Sequence, residues 1–509
     1  MNRNYNRRDI LKTIPLSALG LAVSDAAARG LSQPAANGRP AGLKKPKYVL
    51  LLMTDQHRPD ALSYTGENPY AVTPHLDALK REGVHFRQAY CQNPVCVPAR
   101  TSLMLGQSCK TTGVYINQQT APNDVESLPQ MFRRAGYRTA CFGKLHVHGR
   151  GTRRDWDVCI DPAKGRWGDG AEEYWEGLEP YRVNDNPVLE PSIVSDLPYG
   201  LPWPYSKQGT YDWPTKEFAV DYIRTPKDSP WFMQCSFFYP HPPLQPPQKY
   251  WDVIASGELE PPDYPADVLD TKNPKIAERN QRRNWQNPTQ RQILDAMIGY
   301  YGNLKFVDDL IGQVINALKA EGIYDETLIL YTADHGEMLW DHRTWHKGVF
   351  LDQSVRVPLI VRYPGFAQNR SSEALVELND VMPTVAEVCG IAPPATAQGK
   401  SFMPSCVNPD RPHHKMVFSE SSSIVDWPQV FKRERMMFDG RFKYINNGEG
   451  VIREVYDHAT DPEEMHNIYE QVKNTQRFKD AWQQLEHWAY ADRGAIRPTN
   501  QWGSIDFVD

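Results

Sequence analysis

Four short apolar runs along the chain each end in polar or charged residues. Residues 48–54 form an unbroken run that Asp55 and Gln56 follow directly. Runs of this kind are typical of strands buried on both faces of a parallel sheet. Because ligands bind at the carboxyl ends of such strands, the pattern predicts one site assembled from distant parts of the chain. The other three runs are 139–143 before Lys144, 231–238 before His241, and 328–332 before Asp334 and His335.

The rest of the pattern completes an α/β fold. Apolar residues at helical spacing between Leu304 and Leu318 predict an amphipathic helix that packs on the sheet and ends near Gly322. After Gly390, alternating stretches at 435–445 and 451–456 predict a small antiparallel sheet with a final helix. We therefore expect a large mixed, mostly parallel sheet flanked by helices, with a smaller C-terminal antiparallel sheet subdomain.

The length of 509 residues suits a large domain with a smaller one attached. We predict a main domain over 47–390 and a C-terminal subdomain over 391–509. Residues of about 151–228, rich in Trp, Tyr, Pro and Gly, are predicted to form an insertion over the site. A second irregular region, at 262–287, is polar and basic.

The N-terminal residues read as a targeting segment. Arg7 and Arg8 precede an apolar stretch at 13–23 and three alanines at 26–28. The segment resembles a twin-arginine export signal, here assigned to 1–28 with a linker at 29–46. The alternative is an ordinary Sec signal or a short anchor, but the apolar stretch is too short to span a bilayer. We expect a periplasmic or secreted protein without a membrane span.

Charge and cysteine content narrow the function classes. The 57 basic and 62 acidic residues nearly balance, so the composition gives little support to a nucleic-acid partner. The eight cysteines contain no CxxC pair and no zinc-like spacing, so they predict neither a zinc site nor a disulfide framework. If Cys96 serves in catalysis, seven remain, and at least one of these is then a free thiol.

The most specific motif is Cys96-Val97-Pro98-Ala99-Arg100, which opens a predicted helix with proline in its first turn. It resembles the signature of the type I sulfatases of the alkaline-phosphatase-like superfamily. In that family a dedicated formylglycine-generating enzyme converts the cysteine to formylglycine (3-oxoalanine). One hydroxyl of the hydrated aldehyde attacks sulfur, and the other later loses its proton so that the sulfated intermediate collapses. The alternative for Cys96 is a buried structural cysteine.

The resemblance covers roughly residues 47–470 and implies a divalent metal at Asp55, Gln56, Asp334, His335 and the modified Cys96. Carboxylate, amide and imidazole groups at two strand ends suit such a site, and the family usually holds Ca²⁺ there. Two positions depart from the family pattern. Many members have Asp where this chain has Gln56, and Asn where it has His335. The imidazole shifts the preference slightly towards Mn²⁺, and Mg²⁺ is also compatible.

Further roles are implied by the same resemblance. Arg100 would hold the formylglycine and the metal-bound carboxylates, while Lys144 and Lys347 would contact sulfate oxygens. His146 would assist collapse of the sulfated diol, and His241 would donate a proton or hydrogen bond towards the leaving oxygen. Three more residues are candidates for the substrate pocket, with a structural or surface role as the alternative for the two histidines: Asn117, His148 and His346.

These features together predict an exported sulfatase that acts on a sulfated carbohydrate and also turns over aryl sulfates. Aromatic and arginine residues of the insertion suit stacking on sugars and binding of acidic groups. They are Arg153, Arg154, Trp156, Arg166, Trp167 and Trp175.

Three other functions remain open. A phosphonate monoester hydrolase or phosphodiesterase of the same fold is the nearest, although such enzymes typically carry Tyr and Thr where this chain has Lys144 and His146. A sulfamidase uses nearly the same centre. If Cys96 stays unconverted, the chain would instead be a non-catalytic protein that binds sulfated glycan.

Overall fold

A nine-stranded sheet forms the centre of the computed structural model, which describes residues 42–149, 151, 153–161, 210–424, 431–446 and 452–490. The predicted signal, most of the linker and residues 162–209 of the predicted insertion lie outside the described residues. The strands are β1 (Tyr48–Asp55), β2 (Val84–Tyr90), β3 (Arg138–Gly143), β4 (Val158–Ile160), β5 (Trp231–Pro240), β6 (Thr327–Ala333), β7 (Arg356–Val357), β8 (Leu359–Arg362) and β9 (Arg370–Glu377).

The strand order is β4-β3-β5-β1-β6-β8-β2-β7, and β9 lies beside β2. The pairs β1–β5, β1–β6, β3–β4, β3–β5 and β2–β9 are parallel. Antiparallel pairing is confined to the side that holds β7 and β8. The sheet is therefore mixed and mostly parallel, as the sequence predicts, and all four predicted site strands lie next to one another within it.

The burial of β1 explains its unbroken apolar sequence. All eight of its residues are buried. Val49, Leu51 and Met53 enter one hydrophobic core, whereas Leu50 and Leu52 enter the core on the opposite face. A strand covered on both faces has no need of polar alternation, which confirms the reading of this run as a central parallel strand.

Helices cover both faces of the sheet. The longest described helix, α8 (Gln290–Ala320), follows the cap Thr289, whose hydroxyl accepts from the backbone N–H of Gln292 at 3.2 Å. It ends before Gly322, as predicted. The helices are α1 (Pro74–Arg81), α2 (Cys96–Leu105), α3 (Cys109–Thr112), α4 (Leu128–Arg134), α5 (Asp212–Arg224), α6 (Gln248–Ala255), α7 (Pro274–Arg282), α8 (Gln290–Ala320), α9 (Asp352–Val355), α10 (Val381–Cys389), α11 (Met403–Val407), α12 (Tyr469–Val472) and α13 (Gln476–Tyr490).

A second, antiparallel sheet follows late in the chain. It consists of β10 (Val417–Ile424), β11 (Phe431–Phe438), β12 (Phe442–Asn446) and β13 (Ile452–Asp457) in that order. Leu485 of α13 packs on it with Tyr444 and Val455. The predicted stretch 435–445 is two strands, because the chain reverses at Gly440, whose φ of 89° is readily adopted only by glycine. The predicted fold class is confirmed, while the division at residue 390 stays a prediction.

All eight cysteines are buried and none forms a disulfide, as expected for small core residues. Within the described part of the chain, no helix is long and apolar enough to cross a membrane.

Candidate active site

The parallel register brings the four polar strand ends together. Thr54 of β1 pairs with Ala333 of β6, so the residues that follow, Asp55 and Asp334, are neighbours. On the other side of β1, Asp55 pairs with Pro240 of β5, which His241 follows. Because β3 pairs with β5 through Gly143 and Ser236, Lys144 joins the same edge. The structure thus assembles at one sheet edge the side chains that the sequence places far apart.

Cys96 is the first residue of α2 and faces this edge. Its side chain is buried, and its Sγ atom lies 3.1 Å from Nε2 of His335 and 4.0 Å from Oδ1 of Asp55. The preceding residue, Val95, is extended, so the helix begins at the cysteine itself. The partial positive charge of a helix N-terminus therefore falls on the position predicted to carry the nucleophile.

The residues predicted to bind metal fit a divalent cation. Ligand atoms of Asp55, Cys96, Asp334 and His335 all lie within 4.8 Å of one another. The Nδ1 atom of His335 lies 2.9 Å from the Gly336 carbonyl and must donate to it, which leaves the Nε2 lone pair directed at the cluster. Carboxylate oxygens and an imidazole nitrogen are ligand types that divalent cations accept.

Gln56, the fifth predicted metal ligand, is held from both ends of its amide. Its Nε2 donates to the carboxylate of Glu337, and its Oε1 accepts from the ammonium of Lys347. Its backbone N–H donates to Oδ1 of Asp334 at 3.1 Å. An amide oxygen has a second lone pair, so this contact leaves one for another partner, and the metal role of Gln56 stays a prediction.

Arg100 ties the strand ends to the helix. One turn after Cys96 on the same face of α2, it is almost wholly buried. Its Nε donates to Oδ2 of Asp334 at 2.7 Å, and one terminal nitrogen donates to the Lys144 carbonyl at 2.7 Å and to the Ser236 hydroxyl at 2.9 Å. The other terminal nitrogen lies 3.4 Å from Oδ2 of Asp55. A single guanidinium thus orders four neighbouring strands.

Fixed positive charge surrounds the cluster. The Lys144 ammonium forms an ion pair with Asp55, and Lys347 reaches the same region through its bond to Gln56. Although burial would raise it, the ammonium groups of Lys144 and Lys347 hold the pKa of Asp55 well below its usual range. Burial and Asp55 would raise the pKa of Cys96, but Lys347 and Lys144 lower it to about 6. The site therefore stabilises negative charge at both positions.

The two candidate proton-transfer residues are neutral histidines. Burial, reinforced by Lys144, lowers the pKa of His146 well below its usual value, and burial together with Lys347 does the same to the pKa of His241. Nδ1 of His146 is buried and has no hydrogen-bond partner among the described residues. Nδ1 of His241 lies 2.7 Å from the Pro242 carbonyl and must donate to it, so Nε2 of the neutral ring carries a lone pair.

The three predicted substrate residues occupy different positions. Asn117 accepts with Oδ1 from the backbone N–H of Val97 at 3.0 Å, which caps the start of α2 beside Cys96. The ring of His148 lies edge-on to that of His146, with 6.0 Å between centroids. The Nδ1 atom of His346 lies 3.5 Å from Nε2 of Gln56. All three border the cluster, and their contact with substrate stays a prediction.

The prediction that Trp156 binds sugar is wrong. Trp156 is 5% exposed and stacks on Phe232 of β5, with 5.4 Å between ring centroids, while its indole N–H donates to the Gly151 carbonyl at 3.2 Å. The ring belongs to the core because β4, which follows it, joins the main sheet beside β3. Arg166, Trp167 and Trp175 lie outside the described residues.

Two residues at the site carried no prediction. Glu337 accepts from the backbone N–H groups of His346 and Leu339, at 2.5 and 2.8 Å, as well as from Gln56. Arg279 of α7 donates to the Lys347 carbonyl at 2.6 Å and to the Thr344 hydroxyl at 2.9 Å. Glu337 lies three positions after Asp334, close to residues that were predicted, but Arg279 lies in an irregular stretch where no periodicity marks it.

The family model described as Sulfatase matches residues 47–391, and that of the N-sulphoglucosamine sulphohydrolase C-terminal region matches residues 340–490. The chain is 29% identical to the ulvan-active sulfatase of Formosa agariphila, over 83% of this chain and 77% of the relative. It is 26% identical to an arylsulfatase of Clostridium perfringens, over 85% and 91% respectively.

The solved phosphonate monoester hydrolase of Agrobacterium radiobacter shares the fold. It superposes with a TM-score of 0.74 at 24% identity, covering 88% of this chain and 96% of that one.

Proposed function

The chain belongs to the sulfatase family, and we propose that it is an exported enzyme that hydrolyses a sulfate ester on a sulfated carbohydrate. The nucleophile would be a formylglycine made from Cys96 by a formylglycine-generating enzyme. One observation carries the proposal: Cys96 begins a buried helix and faces Asp55, Asp334 and His335, with the ammonium of Lys144 paired to Asp55. This is a site for an anionic, oxygen-rich group at a reactive side chain.

Two groups outside the polypeptide would complete the site. Formylglycine at position 96 would supply a hydrated aldehyde as the oxygen nucleophile, and a Ca²⁺ ion, with Mn²⁺ or Mg²⁺ as substitutes, would supply positive charge beside it. Asp55, Asp334, His335 and Gln56 are the residues that would hold the ion. The remaining steps belong to the chain itself.

Lys144 and Lys347 bind and orient the sulfate group. Lys144 follows β3 and pairs with Asp55, whereas Lys347 lies in the loop after β6 and donates to Gln56. Charge that develops on sulfate oxygens in the transition state meets donors that are already in place, so no reorganisation is needed. Arg100 keeps the two carboxylates fixed while this happens.

His146 and His241 have different roles in proton transfer. The neutral His146 has a covered Nδ1 without a partner and suits a group that accepts a proton. His241 presents a lone pair at Nε2, because its Nδ1–H is bound to the Pro242 carbonyl. It must therefore take up a proton before it can donate to a leaving oxygen. An anionic substrate beside it favours that protonation.

The preference for a sulfated carbohydrate rests on two supports. The ulvan-active relative carries its substrate in its name, and export through the predicted signal suits an enzyme that meets extracellular glycans. We expect small aryl sulfates to be turned over as well, because one of the relatives is named an arylsulfatase.

Two alternatives keep specific support. A sulfamate substrate is favoured by the match of residues 340–490 to the C-terminal model of N-sulphoglucosamine sulphohydrolase. Phosphonate ester cleavage is favoured by the shared fold with a phosphonate monoester hydrolase, but the Lys144 and His146 pair speaks for sulfate. If Cys96 remains a thiol in the host, the protein would bind sulfated glycan without turnover.

The decisive experiment is an assay of the enzyme co-expressed with a formylglycine-generating enzyme and loaded with Ca²⁺. Sulfate release is measured from an aryl sulfate and from sulfated glycans, beside an N-sulfated sugar and a phosphonate monoester. Mass spectrometry of the peptide that holds residue 96 reports conversion, since formylglycine is lighter than cysteine. Release that disappears in Cys96→Ala supports the proposal. Faster cleavage of the phosphonate or the sulfamate, with conversion confirmed, would replace it.

A further inference from the structure

A second cluster of side chains that can bind metal lies outside the catalytic cluster. Asp380 directly precedes α10, and His413 and His414 lie shortly before β10. Their ligand atoms all lie within 4.8 Å of one another, and none of the three residues belongs to the catalytic cluster. The chain therefore brings two imidazoles and one carboxylate together at a second place.

The two imidazoles converge on a single oxygen atom. Nε2 of His413 lies 3.1 Å from Oδ2 of Asp380, and Nε2 of His414 lies 2.8 Å from the same atom. The ring centroids of the two histidines are 4.1 Å apart. Side chains of neighbouring residues in an extended strand point to opposite sides, so the backbone must turn here to direct both rings to one point. Both ring nitrogens thus face one small volume beside the carboxylate.

Hydrogen bonds alone would overload that oxygen. Oδ2 of Asp380 also accepts from the backbone N–H of Glu377 at 2.9 Å, so three nitrogen atoms surround it. A carboxylate oxygen has about two lone pairs, and three donors would exceed that number. A metal ion that takes the Nε2 lone pairs of both histidines and one lone pair of Oδ2 removes the conflict, because the N–H of Glu377 keeps the other.

The cluster is largely shielded from water, yet it is open to an ion from one side. The side chain of Asp380 is fully buried and that of His413 is 3% exposed, whereas 23% of the His414 side chain is exposed. Burial of a carboxylate is costly unless positive charge or hydrogen bonds compensate for it. A divalent ion supplies that charge, and the partly exposed ring of His414 gives it a path from solvent.

We propose that Asp380, His413 and His414 bind a structural Zn²⁺ ion, with a water molecule as the fourth ligand. Imidazole and carboxylate are ligand types that proteins use for Zn²⁺. The backbone N–H of His414 donates to the Leu375 carbonyl of β9 at 3.3 Å, so this segment already lies against the main sheet. The ion would hold the approach to β10 at the start of α10. It takes no part in the proposed reaction, and the inference does not depend on that reaction.

The test uses Zn²⁺ as the probe, titrated by calorimetry into the full chain after a chelator has removed bound metal. Every protein carries Cys96→Ala and His335→Ala, so that the catalytic cluster keeps only its carboxylates, and excess Ca²⁺ is present to occupy them. We expect a single Zn²⁺ ion to bind with a Kd of about 1 μM or below and to raise the melting temperature. His413→Gln and His414→Gln should each weaken binding at least about tenfold.

The glutamine variants separate metal binding from hydrogen bonding. A glutamine amide can still donate to Asp380, but it lacks the imidazole lone pair, so His414→Gln keeps the fold and loses the ligand. His487→Gln, at an exposed histidine of α13, is the matched control and should bind Zn²⁺ as its parent does. No Zn²⁺ binding by the parent, or equal affinity in the variants at His413, His414 and His487, would overturn the site.

Discussion

The Sγ atom of Cys96 lies 3.1 Å from Nε2 of His335, although the two residues are 239 positions apart. The imidazole is oriented by its bond to the Gly336 carbonyl, so its lone pair faces the cysteine. The position predicted to become the nucleophile and a predicted metal ligand therefore share one small volume. Conversion of Cys96 and binding of a metal would each alter the surroundings of the other.

Replacement of Cys96 by alanine should abolish turnover while preserving the fold. Removal of a catalytic nucleophile typically costs roughly four to six orders of magnitude in kcat. The measurement is sulfate release by converted enzyme, with a thermal melt as the check on folding. Cys109→Ala, at the buried cysteine that begins α3, is the matched control and should remain active. Residual turnover near the parent level would exclude Cys96 as the nucleophile.

Arg100→Met should destabilise the protein as well as inactivate it. The change leaves the buried carboxylates of Asp55 and Asp334 without their shared guanidinium, and breaking such a buried pair costs about 3–5 kcal/mol. Urea unfolding at neutral pH gives the free energy of unfolding. The exposed Arg291→Met should change it by less than about 0.5 kcal/mol. Equal stability of the two variants would mean that Arg100 is not what balances the carboxylates.

Removal of divalent metal should lower both activity and the melting temperature. A ligand that binds only the folded state stabilises it by about 2.7 kcal/mol at a concentration one hundred times its Kd. We expect melting with a chelator to reveal this loss, and Ca²⁺ to restore it. Asp334→Asn should reduce the response, whereas Asp410→Asn, at a carboxylate that is 74% exposed and pairs with Arg370, should keep it. A response unchanged by Asp334→Asn would place the ion elsewhere.

Asp212 should make stability depend on pH. Burial raises the pKa of this carboxyl to about 7, against bonds from the backbone N–H groups of Phe238 and Tyr239 at 2.6 and 2.8 Å. Between its unfolded pKa near 4 and its folded value, only the folded state holds the proton, so stability falls as pH rises through this range. The free energy of unfolding, measured with urea, should fall between pH 4.5 and 8 by a few kcal/mol at most more in the parent than in Asp212→Asn. A difference in free energy of unfolding between the two proteins that does not change with pH would contradict the raised pKa of Asp212.

Arg279→Ala should impair catalysis through the loop that carries Lys347. The guanidinium holds three groups of residues 344–347, and a displacement of about 1 Å at a site can cost 10²-fold in rate. We expect kcat on an aryl sulfate to fall 10- to 100-fold, with partial recovery in Arg279→Lys. Steady-state kinetics separates this from a binding effect. A change in KM alone would show that Arg279 does not position the lysine.

The sequence alone determined the sheet edge and its central residues. Unbroken apolar runs identify strands such as β1 because both of their faces are buried, and the ends of parallel strands must meet at one edge. Asp55, Lys144, His241 and Asp334 could therefore be grouped without a structure. The motif around Cys96 marked the helix that meets them. The two sheets and the long helix α8 could also be predicted, because the spacing of apolar residues along the chain reflects which faces of each element are buried.

Only the tertiary structure decided which irregular residues support that edge. Arg279 and Lys347 are 68 positions apart and meet because α7 packs on the loop after β6, a contact that no local pattern encodes. Trp156 looked like a sugar platform by composition, yet β4 draws it into the core beneath β5. Side chains in segments without periodicity acquire their partners from packing between distant elements, and their roles depend on contacts that sequence spacing does not contain.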